Sequence, residues 1–265
     1  MLRSLLVACL LSICPLWAGP KVEIIAHRGA SWDAPENTVA SFKEAWKQNA
    51  DGAELDLHLT KDGKLVVIHD ATLKRTSGLP DKVRDLTLEE IRKLDAGKWG
   101  KWKDAKFAGE KYPTLEEMLA TRPAGKKVYV ELKSGVEAVP ELIRVLDATK
   151  ASPELTPVIS FNAEVIALFK KQRPKHPAYW IVALTPFTNA EKLIERAKEI
   201  KADGLDLSAQ PMLDAAFAKK VRDAGLRLDV WTVNDAEVAR RMVEIGVQGI
   251  TTDRPGWLRE QLDTK

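Results

Sequence analysis

The chain of 265 residues has only two cysteines, Cys9 and Cys14, and both fall in its first eighteen positions. The rest of the sequence therefore needs no disulfide to be stable and carries no thiol that oxidation could reach. No apolar run is long enough for a comfortable transmembrane span; the nearest, Leu5 to Trp17, is too short and has no charged flank on its far side. The net charge is only +3, with lysines and acids interspersed, which reads as a solvated surface and excludes a nucleic-acid footprint. Low-complexity tracts are absent, as is any fixed-period repeat beyond an alternation of strands and helices.

Residues 1–18 have the pattern of a secretory signal peptide. Arg3 supplies the positive start, Leu5 to Trp17 the apolar stretch, and Leu16-Trp17-Ala18 a small residue for cleavage. The expectation is an exported chain beginning at Gly19, periplasmic or secreted and without cysteine. A lipid anchor on Cys9 or Cys14 fits less well. Few apolar residues precede Cys9, and the bulky Ile13 precedes Cys14.

The remainder, roughly 245 residues, is the size of one (β/α) barrel. Short apolar strands are expected at Glu23–His27, Ala53–His58, Lys127–Leu132, Pro157–Ser160, Tyr179–Leu184, Gly204–Leu207, Arg227–Trp231 and Gly249–Thr252. Helical stretches lie between them at Thr38–Asn49, Pro140–Lys150, Ala163–Gln172, Asn189–Ile200, Leu213–Ala224 and Asp235–Ile245. Such alternation predicts a parallel sheet with helices outside, and eight strands close it into a (β/α)8 TIM barrel. Leu65–Ile68 follows the second strand too closely for a crossover helix, so it is expected as an antiparallel hairpin partner. Residues about 71–112 interrupt the pattern as a small cap insertion. It holds a short helix at Thr87–Leu94 and the tryptophans Trp99 and Trp102, and a loop of that length is usually functional.

Chemistry concentrates in three short groups: His27-Arg28-Gly29, Glu54-Leu55-Asp56 and His69-Asp70. Glu54 and Asp56 are two apart on a strand, so both side chains point to one face. Paired acids repel unless a cation lies between them, and hard oxygen ligands suit Mg²⁺ or Ca²⁺ better than Zn²⁺. Two histidines nearby can serve as general acid and base. If Asp62-Gly63 forms a two-residue turn, Lys61 faces Lys64 and Asp56 faces His69 across the hairpin. Glu131 and Lys133 likewise share a face near the end of the third strand.

Ile25-Ala26-His27-Arg28-Gly29, Pro35-Glu36-Asn37-Thr38, Glu54-Leu55-Asp56, Thr60-Lys61-Asp62-Gly63 and Val67-Ile68-His69-Asp70 together resemble the glycerophosphodiester phosphodiesterase family, whose fold is the phospholipase C-like TIM barrel. Leu94-Asp95-Ala96-Gly97, Phe107-Ala108-Gly109-Glu110 and Pro113-Thr114-Leu115-Glu116-Glu117 resemble its insertion and the exit from it. Glu131-Leu132-Lys133, Val230-Trp231-Thr232-Val233-Asn234 and Thr252-Asp253-Arg254-Pro255 resemble its later motifs. The resemblance runs from about residue 23 to the C-terminus, and the ordered set is far more specific than any one tripeptide.

The resemblance implies metal-dependent hydrolysis of glycerophosphodiesters to an alcohol and sn-glycerol 3-phosphate. It implies Glu54, Asp56 and Glu131 as ligands of one divalent cation, Mg²⁺ or Ca²⁺. His27 and His69 become the acid–base pair, either fitting either role, with attack by the substrate's own glycerol hydroxyl through a cyclic phosphate. Arg28 is suited to clamp phosphate oxygens, and Lys133 adds positive charge. Trp231 is placed to pack against glycerol or the leaving group. Glu36 and Asn37 follow the first strand, with Glu36 expected to orient Arg28 or metal-bound waters. Asp253 would reach the site or tie down the final loop. Asn234 is expected to cap the helix starting at Asp235. His58 has the parity of the acids but lies at the start of the hairpin, so its facing is open. His176, between Pro174 and Pro177, is expected at the surface. Two other functions remain: a lysophospholipase D or sphingomyelinase D-like lipid phosphodiesterase, and a non-catalytic binding protein. The presence of both histidines and all three acids argues against the latter.

Overall fold

The computed structural model describes residues 22–103 and 105–264. The expected leader, with Cys9 and Cys14, lies outside the described residues. Nine strands form one sheet: β1 (Glu23–Ala26), β2 (Gly52–Leu59), β3 (Leu65–Val67), β4 (Lys127–Leu132), β5 (Val158–Ser160), β6 (Ala178–Val182), β7 (Gly204–Ser208), β8 (Arg227–Trp231) and β9 (Gly249–Thr252). Eight run parallel in the order β1-β9-β8-β7-β6-β5-β4-β2, and β1 pairs with β2 to close the barrel. Helices follow the parallel strands, which makes the molecule a (β/α)8 TIM barrel. β3 lies antiparallel against β2, as the short connection requires. No described helix is long and apolar enough to cross a membrane.

Strand alternation sorts the residues into two shells. One face of each strand, with Leu55, Leu57, Val130, Leu132, Leu205 and Val230, is buried against helix residues such as Phe42, Leu142, Phe169 and Met242. This apolar shell between sheet and helices is the main core. The other face points into the barrel and is largely polar. At its amino-terminal end Glu23 accepts from Lys127 at 2.6 Å, Tyr129 at 2.9 Å and Arg227 at 2.9 Å, while Arg227 also reaches Asp229 at 2.8 Å. Above this plug lies a short apolar layer of Ile25, Tyr129, Ile159, Tyr179 and Ile181, with Trp231 packed against it. The charged residues at the carboxyl end therefore rest on a sealed floor.

The insertion has a core of its own, built from Val66, Ile68, Leu73, Val83, Ile91, Ala96 and Tyr112. Its short helix, Leu88–Arg92, is held by a capping box between Thr87 and Glu90. Three α-helices absent from the sequence-based reading also form, Lys74–Ser77 within the insertion and two outside it. Leu115–Ala120 starts from a Thr114/Glu117 capping box, and Pro255–Asp263 starts on a proline, which suits the first helical position.

The hairpin differs from expectation by one residue. Leu59 faces Leu65, His58 faces Val66 and Leu57 faces Val67. The turn has three residues: Thr60 N–H donates to the Lys64 carbonyl, and Gly63 takes φ of +69°. This is the type I turn with a left-handed glycine that three-residue hairpins favour. Asp62 accepts from the Thr60 hydroxyl and from Leu88 N–H, which draws it out of the two-residue turn. Asp56 consequently faces Ile68, whose N–H donates to the Asp56 carbonyl at 3.0 Å, and His69 lies one residue beyond.

Candidate active site

His27 follows β1 directly, its N–H bonded to the Thr252 carbonyl. Arg28 and Gly29 then both take positive φ, +54° and +78°. A Cβ on Gly29 would lie 2.4 Å from Ser41 Oγ, so this turn depends on glycine. The turn aims the Arg28 N–H at Glu54 Oε2, 2.9 Å away. It also sends the guanidinium to Glu36 Oε1 at 3.0 Å and brings Nε within 3.3 Å of Asp56 Oδ2. Asn37, also at positive φ, donates to Asp56 Oδ2 at 2.7 Å and accepts from Asp56 N–H. Backbone strain at two adjacent points of one loop is a mark of functional sites.

Glu54, Asp56 and Glu131 are buried and offer ligand oxygens all within 4.8 Å of one another. Lys133 Nζ lies 3.2 Å from Glu131 and 3.5 Å from Asp56. Burial and the charges of Asp56 and Glu131 push the Glu54 carboxyl well above the carboxylate range. Burial and Asp56 raise Glu131 to about 7. Burial also pushes Asp56 up, but Arg28 and Lys133 outweigh it and hold Asp56 low. The two cations thus offset part of the cluster's charge, and Glu54 Oε1 is left buried with no hydrogen-bond partner. An all-oxygen set with one orphaned atom can bind a hard divalent cation.

Both histidines are held the same way. His27 Nδ1 lies 2.7 Å from Asp253 Oδ1, and His69 Nδ1 lies 2.7 Å from Asp70 Oδ1. An ionised carboxylate only accepts, so each Nδ1 carries the hydrogen and leaves Nε2 unprotonated in the neutral ring. Burial lowers the pKa of His69 despite the nearby Asp56. Asp253 is itself held down to about 2 by His27, Ser31 and Asn234, against its burial. Asp70 is bound by Arg75, which also forks onto Glu36. A continuous chain of charge-assisted bonds therefore links Arg28, Glu36, Arg75, Asp70 and His69.

His27, Arg28, Glu54, His69, Glu131, Lys133 and Trp231 line one cavity of about 200 Å³ at the carboxyl end of the barrel. Asp56 borders it as the Arg28 and Lys133 partner, while Glu36, Asn37 and Asp253 support it through the bonds above. Trp231 stacks edge-on against Phe161 at 5.3 Å. Arg75, Phe161 and Asp206 escaped the sequence-based reading. Arg75 lies in the insertion helix Lys74–Ser77, where its charge looked like ordinary surface. Asp206 had a legible signal, an acid at the inward parity of β7 facing Asp229 of β8.

Two expectations need correction, and the facing of His58, which the sequence left open, is now given. His176 is buried, its Nε2 2.7 Å from the Thr156 carbonyl and its ring edge-on to Phe169. The loop folds back beneath the helix Ala163–Gln172 instead of projecting outward. Asn234 does not cap the following helix; Asp235 does. Asn234 instead donates to Asp253 at 2.6 Å and accepts from Thr252 and Asp253, fixing the acid that holds His27. His58 points its Nε2 at the His69 carbonyl at 3.0 Å and lies outside the catalytic cavity. Trp99 and Trp102 also lie outside it, Trp99 beneath Arg75 and Trp102 against Phe107.

Residues 27–257 match the glycerophosphoryl diester phosphodiesterase family. The chain belongs to this family. It is therefore an enzyme, and the family's reaction is glycerophosphodiester hydrolysis. A glycerophosphodiester phosphodiesterase of Caldanaerobacter subterraneus is 39% identical over 243 residues, covering 89% of this chain and 95% of the relative. One from Bacillus subtilis is 34% identical over 89% of this chain and 84% of its own length. Among solved structures, an Oleispira antarctica phosphodiesterase in complex with the product sn-glycerol-3-phosphate superposes with a TM-score of 0.82. It is 28% identical and covers 91% of this chain and 97% of that one. The Thermotoga maritima glycerophosphodiester phosphodiesterase gives 0.74 at 27% identity, covering 91% and 99%.

Proposed function

We propose that the enzyme releases an alcohol and sn-glycerol 3-phosphate from deacylated glycerophosphodiesters, with one divalent cation and a histidine pair. The carrying observation is two imidazoles, each with Nδ1 on a carboxylate, facing one cavity beside three buried carboxylates and two cationic side chains. The product bound by the Oleispira antarctica relative supports the product class.

One histidine takes the proton from the glycerol hydroxyl next to the phosphoryl group as that oxygen bonds to phosphorus. The bond from phosphorus to the alcohol oxygen breaks, and the other histidine, which enters the step as imidazolium, gives its Nε2 proton to the departing alcohol. Water then opens the resulting cyclic phosphate with the two roles exchanged. Arg28 and Lys133 counter negative charge on the phosphoryl oxygens. Glu54, Asp56 and Glu131 would hold Mg²⁺ or Ca²⁺, which when bound supplies further neutralisation of phosphoryl charge. Glu36 and Asn37 position Arg28 and Asp56, Asp253 positions His27, and Trp231 packs against the substrate's carbon skeleton.

Phosphorus NMR of glycerophosphocholine turnover tests this reading. Growth of the glycerol 3-phosphate resonance with Mg²⁺ or Ca²⁺, and none under chelation, is expected. Phosphocholine as product would contradict it, and turnover confined to lysophosphatidylcholine would assign a lysophospholipase D instead.

We also propose export, supported by Arg3, the apolar run Leu5 to Trp17 and Ala18. Mass spectrometry of the protein expressed with its own leader should find Gly19 at the N-terminus. A retained leader, or lipid on Cys9 or Cys14, would contradict a soluble exported chain.

A further inference from the structure

The cavity has two unlike walls. One is the charged wall of histidines, carboxylates, Arg28 and Lys133. The other, formed by the far side of the barrel, is built from Ile159, Phe161, Ile181 and Trp231, with Asp206 set among them and Thr232 and Thr251 completing the lining. Asp206 is only 6% exposed, and its carboxylate makes no hydrogen bond among the described residues; Oδ1 is fully buried and unpartnered. No neighbouring side chain among the described residues hydrogen-bonds its carboxylate. Arg227 is committed to Asp229, Glu23 and Tyr129, and Trp231 Nε1 donates to the Asp206 backbone carbonyl, 3.1 Å away, not to the side chain. The metal-site cations Arg28 and Lys133 pair with Glu36, Asp56 and Glu131.

A buried carboxyl without a partner is costly, and an apolar wall would accept Leu or Val at this position more cheaply. Such a group lining a cavity is suited to a ligand that brings its own hydrogen bond. The ligand part that meets it must be small, because the cavity is about 200 Å³ and closed below by Tyr129 and Tyr179. It must also be polar at one point and aliphatic elsewhere, to match one carboxyl among isoleucines and aromatics. A hydroxymethyl group answers both demands.

We propose that Asp206 is a specificity residue that hydrogen-bonds the glycerol hydroxyl remote from phosphorus, so that the apolar wall selects an unesterified glycerol. This deepens the proposed function and rests on it. Burial, with the charges of Asp229 and Glu131, pushes the Asp206 carboxyl well above the carboxylate range. A neutral carboxyl both donates and accepts, as a hydroxyl partner does. An acyl ester at that hydroxyl would remove the donor and crowd the wall, so lysolipids should be poor substrates. A site built around a substrate hydroxyl discriminates strongly against an analogue lacking it.

The test compares two substrates that both keep the attacking hydroxyl: glycerophosphocholine, and 2-hydroxyethyl phosphocholine, which lacks the terminal hydroxymethyl. The parent enzyme should prefer the first in kcat/KM by about tenfold or more. In Asp206→Ala the ratio should fall toward one, chiefly through KM, and Asp206→Asn should keep part of the preference. Melting temperature serves as the second readout: Asp206→Leu should melt at or above the parent, because it removes a buried unpaired group. An unchanged ratio in Asp206→Ala, or a marked loss of melting temperature in Asp206→Leu, would overturn the proposal and make the residue structural. A parent inactive on both substrates would sink the proposed function itself, and the proposal with it.

Discussion

Glu54→Gln should make the metal-free protein more stable while abolishing its stabilisation by metal. Glu54 Oε2 accepts from the Arg28 N–H, and the glutamine oxygen keeps that bond. Oε1 is buried and unpartnered, and the Glu54 carboxylate offers an oxygen within 4.8 Å of oxygens of Asp56 and Glu131. An amide there turns a repelled acceptor into a donor between two acceptors. An unsatisfied buried polar group costs about 1–3 kcal/mol. At roughly 2–4 °C per kcal/mol for a domain of this size, the metal-free melting temperature should rise by about 2–12 °C. The gain depends on pH. The folded pKa of Glu54 lies above its unfolded value, so its penalty is absent at low pH and grows as pH rises through the raised value. The difference should therefore be smallest at acid pH and grow as pH is raised. In the parent, Mg²⁺ or Ca²⁺ at a hundred times its Kd adds about 2.7 kcal/mol, a rise of roughly 5–10 °C. Differential scanning fluorimetry with chelator and with each cation reads all of these. A lower metal-free melting temperature in the variant, or a full metal-induced rise, would refute the reasoning.

Asp253→Asn should lower kcat by about 10- to 100-fold with little change in KM, because a hydrogen bond to a charged group contributes about 1.5–3 kcal/mol and Asp253 holds the His27 ring; steady-state kinetics within twofold of the parent would contradict this. Gly29→Ala should cost about 2–4 kcal/mol, from the left-handed backbone and the clash with Ser41. Its urea midpoint should fall accordingly, and an unchanged midpoint would show that the turn tolerates a Cβ. Burial holds the pKa of His176 below the ordinary imidazole value. The unfolded chain then binds its proton first, and stability declines as pH drops below about 6.5. His176→Gln should lose less stability between pH 7 and pH 5 than the parent does, and equal losses would assign the acid sensitivity elsewhere.

The barrel was legible because its strands carry apolar residues at alternate positions and its helices do not. Leu55 and Leu57 go to the helix shell, so Glu54 and Asp56 must enter the barrel. That parity argument located Glu131 and Lys133 as well. The hairpin register was not legible, because Asp62-Gly63 fits a two-residue turn equally well until Asp62 is seen bonded to Leu88 in the insertion. His176 looked exposed because its prolines mark a loop, and only packing against Phe169 shows that the loop turns inward. Arg75 and Asn234 act through residues distant in sequence, Glu36 at thirty-nine positions and Asp253 at nineteen, and local pattern carries no trace of such pairs.

The most direct measurement is glycerol 3-phosphate release from glycerophosphocholine by a chain beginning at Gly19. The protein would be stripped with chelator, then given Mg²⁺ or Ca²⁺, beside His27→Ala and His69→Ala. Release that requires the cation and is lost in both variants is the expected result. Release that survives chelation, or persists in either variant, would contradict a site in which three carboxylates and two histidines work together.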